Sequence, residues 1–301
     1  MPNEAAAPAA STIDLHTHST ASDGLYPPEV LVGLAHAAGV TTLGLADHDT
    51  TAGVPAALAA GERLGVRVIP AVEVNTDLAA GRGEAHVLGY FVDVEQPAFQ
   101  SSLATLREAR ARRGERMVER LRALGFDITW ERVRELAGGS VGRPHVARAL
   151  IERGYATDVS EAFDRYLGPG RPGYIARYKL SPGDAVRLIR SARGVAVLAH
   201  PGAMKGLADE VLPSLLGAGL QGIECYYGQY PPEMVERLLR LADTHGLIAT
   251  GGSDYHGPNM HPTPLGGRYV PPEAVEGLWV AAEQHRRLPP PAFTLPAPEQ
   301  A

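Results

Sequence analysis

One regularity narrows the folds open to this chain more than any other. Short apolar runs alternate with amphipathic helical segments through residues 12–95 and again through residues 176–288, and most of the apolar runs end in histidine, aspartate or glutamate. "TIDLHTH" precedes "PPEVLVGLAHAAG", a helix with proline in its first turn and a glycine stop. "VTTLGLADHD" precedes "AGVPAALAAGERLG", and "VRVIPAVEVN" and "EAHVLGYFVDV" read as strands around the turn-like "DLAAGRGE". The rhythm returns with "SPGDAVRLIRSARG" before "VAVLAHPG", "ADEVLPSLLGAG" before "LQGIECYY", and "PPEMVERLLRLADTHG" before "LIATGGSDYHG". Strand and helix alternating at this spacing predict parallel βα units. Six or seven such units suggest a closed barrel, with an open doubly wound sheet as the alternative.

Residues 96–175 break the pattern. "FQSSLATLREARARRGERMVERLRALG" predicts one long charged helix, and "ITWERVRELAG", "RPHVARALIERG" and "DVSEAFDRYLG" predict three shorter ones. The expectation is a discontinuous α/β barrel, residues 12–95 and 176–288, with a helical module inserted at 96–175. Residues 1–11 read as a floppy leader and residues 289–301 as a flexible proline-rich tail. With 45% apolar and 21% charged residues, the composition is that of an ordinary globular chain. The net charge of −6 argues against a general basic footprint, so no stable DNA binding is expected. A single cysteine, Cys225, rules out a disulfide framework and fits a reducing, cytoplasmic setting. No apolar run approaches the roughly 20 residues of a membrane span.

The polar residues at the strand ends carry the chemistry. His16 and His18 end the first strand, and their i, i+2 spacing puts both imidazoles on one face. His48 ends the second strand, Glu73 the third, and His86 begins or lies within the fourth. His200 ends the strand "VAVLAHPG", and Asp254 with His256 ends the last. The C-terminal ends of parallel strands converge on one face of a barrel. These residues, with Asp23 of the first βα loop, therefore point at one mouth. A mixture of imidazoles and carboxylates suits Zn, Mn, Fe or Ni. Any one of them has an ordinary explanation as a cap, a turn or a buried histidine, but chance is a poor account of nearly every strand ending this way. Asp47 and Asp49 flank His48, and at least one is expected to support the site or cap a helix. His36, His245, His261 and His285 lie on helices or late connections and are assigned ordinary structural roles.

In order along the chain, "DLHTHSTASDG", "ADHDT", "VEVN", "HVLGY", "AHPG" and "GSDYHG" resemble the successive motifs of the PHP (polymerase and histidinol phosphatase) superfamily. The order, and the helical insertion, are similar to the branch that includes RNase AM and the 3′,5′-nucleoside bisphosphate phosphatases. The resemblance implies a distorted (βα)7 TIM-like barrel holding three divalent ions (Mn, Fe or Zn). Carried over by position, His16, His18, Glu73 and Asp254 would hold the first ion. Glu73 as a bridge with His86 and His200 would hold the second, and Asp23, His48 and His256 the third.

That cluster implies a metal-dependent phosphoesterase that uses a metal-bridged hydroxide, with Glu73, His200, Asp254 and His256 as catalytic residues. Its expected substrates are 3′,5′-nucleoside bisphosphates or the 5′ end of short RNA. No other nucleophile motif is present. His256 or His200 is a candidate proton donor to the leaving group. In the insertion, "GGSVGRPH" (residues 138–145) suits phosphate contact, because glycines admit close backbone approach and helix N-termini favour anions. Arg143, His145 and Arg177 are the expected substrate-binding residues, with Lys179 a weaker candidate. The arginine-rich run from Arg107 to Arg120 is interleaved with glutamates and reads as a solvated helix face. Histidinol-phosphate phosphatase is the competing enzyme reading. A non-catalytic metal- or nucleotide-binding module is the competing reading of another class.

Overall fold

The structure, a computed structural model, describes residues 11–78, 82–137, 141–175, 180–204, 206–258, 260 and 262–296. The first half runs β1 (Ile13–Thr17), α1 (Pro28–Ala37), β2 (Thr42–Leu45), α2 (Val54–Leu64), β3 (Arg67–Asp77) and β4 (Glu84–Tyr90). Then come α3 (Pro97–Ala123), α4 (Trp130–Ala137), α5 (Arg143–Glu152) and α6 (Val159–Ala162). The second half runs α7 (Pro182–Ser191), β5 (Val195–Leu198), α8 (Ala208–Ala218), β6 (Gly222–Tyr227), α9 (Pro232–His245), β7 (Ile248–Gly252) and α10 (Pro272–Arg287).

The seven strands pair in chain order in one sheet. The last strand returns to the first: Asp254 N–H donates to His16 O at 2.8 Å and His18 N–H to Tyr255 O at 2.9 Å, which nearly closes a barrel. Gly252 permits this approach, since a Cβ there would lie 2.5 Å from His16 N. Buried Asp14 locks the same seam by accepting Ser253 N–H at 2.9 Å, Ser253 Oγ at 2.6 Å and Gly266 N–H at 2.9 Å.

One strand departs from the expected parallel arrangement. β4 is antiparallel to both β3 and β5, while the other neighbours are parallel. The cause is covalent: only residues 78–83 join β3 to β4, whereas a parallel crossover needs a dozen or more. Two placements change with it. β3 is 11 residues long and runs past the barrel rim, so Glu73 lies inside it and not at its end. Because β4 is reversed, its first residues sit at the mouth, and His86 is its third residue.

Reversal also explains α3. The chain leaves β4 at the end of the barrel opposite the mouth, and 27 helical residues, about 40 Å at 1.5 Å each, carry it back. Phe99, Leu103 and Leu106 pack on the barrel core, whereas Met117, Val118 and Leu121 pack on the core of the helical module with Val133, Val146 and Leu150. The expected division at residue 96 thus falls at the start of a helix that both cores share. "DVSEAFDRYLG" is not a single α-helix. Asp158 caps α6 by accepting Glu161 N–H at 2.8 Å, and the chain then widens into a π-helical turn over Phe163–Leu167. The sequence reading assigned no helix after residue 258, yet α10 follows the Pro271–Pro272 pair and buries Ala274, Val275 and Leu278 against the strands' core. No helix among the described residues is long and apolar enough to cross a membrane.

Candidate active site

Nine side chains from seven elements meet at the mouth. His16 is the last residue but one of β1 and His18 lies just beyond the strand; Asp23 follows in the loop before α1, and His48 in the loop after β2. Glu73 and His86 come from the β3–β4 pair, His200 follows β5, and Asp254 and His256 follow β7. Glu73 is central. Its Oε2 lies 3.4 Å from the Nε2 of both His16 and His18 and 2.9 Å from His48 Nδ1, and its Oε1 lies 2.8 Å from His86 Nδ1 and 2.9 Å from His200 Nε2. Asp254 Oδ1 lies 3.3 Å from His16 Nε2 and 3.0 Å from His18 Nε2. Asp23 faces His256 Nε2 at 3.3 Å and His48 Nε2 at 3.7 Å.

Three overlapping groups have ligand atoms within 4.8 Å of one another: His16, His18, Glu73 and Asp254; His18, Asp23, His48 and His256; and His48, Glu73 and His86. They fit divalent cations on physical grounds. His16 Nε2, His18 Nε2 and Asp23 Oδ1 are all buried without a hydrogen-bond partner among the described residues, an arrangement whose desolvation cost a cation would offset. The donor chemistry also matches, since neutral imidazoles and carboxylates together suit transition-series divalent ions. Backbone strain collects here as well. His200 (φ 24°), Asp254 (φ 56°) and Asp49 (φ 54°) adopt left-handed conformations that packing must hold in place.

The electrostatics follow from burial and proximity. Burial alone would favour neutral forms, but the histidines hold Asp23, Glu73 and Asp254 well below the ordinary carboxylate range. In return, the carboxylates overcome burial and raise His16 well above the usual imidazole value and His256 to about 9. His18, buried beside His256 and His48, falls to about 3.

Several supporting groups were not visible in the strand-end pattern. Glu224, fully buried in β6, accepts from His16 Nδ1–H at 3.0 Å and from His200 N–H at 2.7 Å. With one proton fixed on Nδ1, Nε2 is the nitrogen that His16 presents to Glu73 and Asp254. His256 is set the same way, because its Nδ1 lies 2.9 Å from the carbonyl of Asp254, which can only accept. Tyr227 donates its hydroxyl to Asp254 Oδ2 at 2.9 Å, leaving Oδ1 toward the histidines. Only its alternation within "GIECYY" could have singled out Glu224: it is a charged residue at an inward position of a strand. Asp47 and Asp49 both prove supporting. Asp47 accepts from Ser19 N–H, Ser19 Oγ and Ser22 Oγ at 2.6–2.7 Å and so shapes the loop that carries Asp23, and Asp49 accepts from Asn75 N–H at 3.1 Å. Replacing Glu224 with Gln is expected to lower metal affinity about 10- to 100-fold, the usual effect of removing a ligand's hydrogen-bond partner. Titration with a chromogenic chelator checks this.

A pocket of about 230 Å³ opens from the cluster toward the inserted helices, lined by Asp23, His48 and His86 at one end and by Met117, Pro144 and Phe163 at the other. Arginines lie between. Arg143 pairs with Glu84, and its guanidinium stacks 5.1 Å from the Phe163 ring centroid. Arg113, 6% exposed, donates to Ile175 O at 2.7 Å and lies 3.9 Å from Glu84. Arg110 lies 3.6 Å from Asp49. The solvated-face reading of the arginine run therefore holds for Arg112, which pairs in the open with Glu108, and fails for Arg107, Arg110 and Arg113. These three lie on the side of α3 turned toward the barrel mouth, a direction set by packing at both ends of the helix. Arg177, Lys179 and the 138–140 stretch lie outside the described residues, as does His261. His145 is buried at the start of α5, while His36, His245 and His285 stand on α1, α9 and α10, outside the three ligand groups.

A buried His/Asp/Glu cluster at the mouth of a nearly closed seven-stranded barrel, opening on an arginine-lined pocket, defines a metal-dependent hydrolase of phosphate esters. The PHP domain family matches residues 14–168, and the chain belongs to that family. It is 38% identical to the 5′-3′ exoribonuclease Rnm of Salmonella typhimurium over 90% of this chain and 94% of that one. It is 35% identical to the 3′,5′-nucleoside bisphosphate phosphatase of Chromobacterium violaceum over 89% and 95% of the two chains. Among solved structures, a Bifidobacterium adolescentis chain assigned as a metal-dependent phosphoesterase superposes with a TM-score of 0.83 at 34% identity, covering 90% of this chain and 96% of that one. A Chromobacterium violaceum protein described as an amidohydrolase, with bound sulfate and no metal, superposes with a TM-score of 0.81 at 33% identity over 91% and 97%.

Proposed function

We propose that this phosphoesterase hydrolyses phosphate esters of nucleotides, acting as a 3′,5′-nucleoside bisphosphate phosphatase, a 5′→3′ exoribonuclease on short RNA, or both. The observation that carries this reading is the pocket: one passage joins the ligand cluster to a second set of cationic groups, Arg143 and Arg113, beside an aromatic ring, Phe163. A substrate with two phosphoryl groups and a flat base matches that sequence of surfaces. Two relatives are named for compounds of this kind, RNA and a 3′,5′-nucleoside bisphosphate.

Three divalent ions, Mn, Fe or Zn, are assigned to the overlapping ligand groups, with His200 joining Glu73 and His86. Bound there, they supply Lewis acidity toward a phosphoryl oxygen and lower the pKa of water. The chain's own residues do the rest. Glu73, central to the cluster, holds the ligands in register. Arg143 grips the phosphoryl group that is not cut, in the bidentate manner that arginine favours. His200 and His256, both partly open at the mouth, are the groups able to pass a proton to the leaving oxygen. The single buried thiol, Cys225, suits a cytoplasmic setting.

The test incubates metal-loaded protein with adenosine 3′,5′-bisphosphate, a 5′-phosphorylated oligoribonucleotide and histidinol phosphate, following phosphate and nucleotide release. Turnover of either nucleotide substrate supports the reading; turnover of histidinol phosphate alone overturns it. Arg143→Ala is expected to raise KM about tenfold or more with a smaller change in kcat, as loss of one charge-assisted contact predicts. Unchanged kinetics would remove the inserted module from substrate recognition.

A further inference from the structure

Glu84 stands where a pocket built for anions has no evident need of a carboxylate. It is the first residue of β4, two positions before His86, so both side chains leave the same face of the strand. Both line the pocket, together with Arg143 and Arg113. The two oxygens of Glu84 meet different partners. Arg143 Nη2 donates to Oε2, and Oε1 lies 3.9 Å from Arg113 Nη1. One carboxylate thus spans two guanidiniums, as the oxygens of a phosphoryl group would.

Burial explains why the pairing forms. A guanidinium cannot shed its charge, and charges withdrawn from water need a counter-ion. The two arginines are also anchored apart from Glu84. Arg143 stacks on the Phe163 ring, while Arg113 donates to Ile175 O and lies 5.5 Å from the Tyr174 ring centroid. Glu84 is the most open member, with its side chain 31% exposed against 16% for Arg143 and 6% for Arg113. The arginines are fixed, and the carboxylate is the part with room to leave.

We propose that Glu84 determines the affinity and selectivity of this arginine station: it is the station's own counter-ion, and the uncut phosphoryl group of a substrate binds by taking Arg143 and Arg113 from it. This rests on the phosphate-ester reading of the pocket, in which Arg143 holds the uncut group, and adds the residue that opposes that binding. The competition selects for phosphate. A phosphate monoester brings nearly two charges and three acceptor oxygens, enough to displace one carboxylate, whereas a second carboxylate would only match the one in place. When the product leaves, Glu84 returns to the arginines, so neither guanidinium is left without a counter-charge.

The test is a gain of binding. Glu84→Gln removes the charge, keeps an oxygen for Arg143 and is nearly isosteric, and a melting curve checks that the variant is folded. In metal-loaded protein it is expected to lower the Kd of inorganic phosphate, read by calorimetry, and the KM for adenosine 3′,5′-bisphosphate by about fivefold or more, the effect of removing one like charge at short range. Glu84→Asp keeps the charge and is expected to show no such gain. In an Arg143→Ala background the gain from Glu84→Gln is expected to shrink below about twofold, because the contested partner is gone. Weaker or unchanged phosphate binding in Glu84→Gln overturns the proposal, since the carboxylate would then be holding the arginines in place for substrate or be indifferent to it. An equal gain with and without Arg143 also overturns it, because the charge would then act on the whole site and not on this station. The two readings fail separately. If Arg143→Ala leaves KM and phosphate binding unchanged, the reading of the pocket fails; if Arg143→Ala weakens binding and Glu84→Gln does not strengthen it, only the role of Glu84 does.

Discussion

Glu73→Gln is expected to abolish turnover and to lower bound metal measured by elemental analysis, the larger of the two strongest effects predicted for this chain. The change is nearly isosteric, so the fold has little reason to respond. The charge, however, sits at 2.8–3.4 Å from five histidine nitrogens and belongs to two of the three ligand groups. An amide offers one weaker oxygen and turns two donor hydrogens toward imidazole lone pairs. Removing a supporting hydrogen bond behind a ligand already costs 10- to 100-fold, so losing the central carboxylate is expected to exceed about 100-fold in activity. Full metal content and an unchanged rate would show that the cluster is organised around another residue.

Stripping divalent ions with a chelator is expected to produce the second large effect, loss of activity to background and its return on adding back Zn, Mn or Fe. The structure adds a pH dependence to this. In the ion-free protein the carboxylates raise His16 well above its usual value and His256 to about 9, so near neutral pH these histidines hold protons that a cation must displace. Reloading should therefore release protons and weaken as pH falls, with His256 competing below about 9. Potentiometric proton release during metal titration checks this directly. Reloading that is equally tight at acid and alkaline pH would contradict it.

These expectations draw on two different sources. Residues that act through their own type and local position were legible in the sequence. The pair His16–His18, the ends "ADHDT", "VEVN", "AHPG" and "GSDYHG", and the helices opened by proline and closed by glycine all depend on a few consecutive residues. Residues that act through distant partners were not. Glu224 matters because β6 brings it to His16, 208 positions away in the chain. The arginine run looked like a solvated face because its spacing alternates charges along α3. Which arginines turn inward was decided where Phe99 and Leu103 seat one end of that helix on the barrel and Leu121 seats the other on the inserted module.

By itself, then, the sequence determined the alternation of strands and helices, the inserted helical segment and the kinds of atom gathered at the strand ends, since hydrophobic period, caps and residue chemistry are local properties. Only the tertiary structure decided that β4 runs backward, that Glu73 therefore stands inside a long strand among five imidazole nitrogens, and that His145 keeps its proton on a nitrogen with no partner among the described residues. Each of these depends on which groups are neighbours in space, and the pairing of strands and the burial of donors follow from packing the whole chain at once.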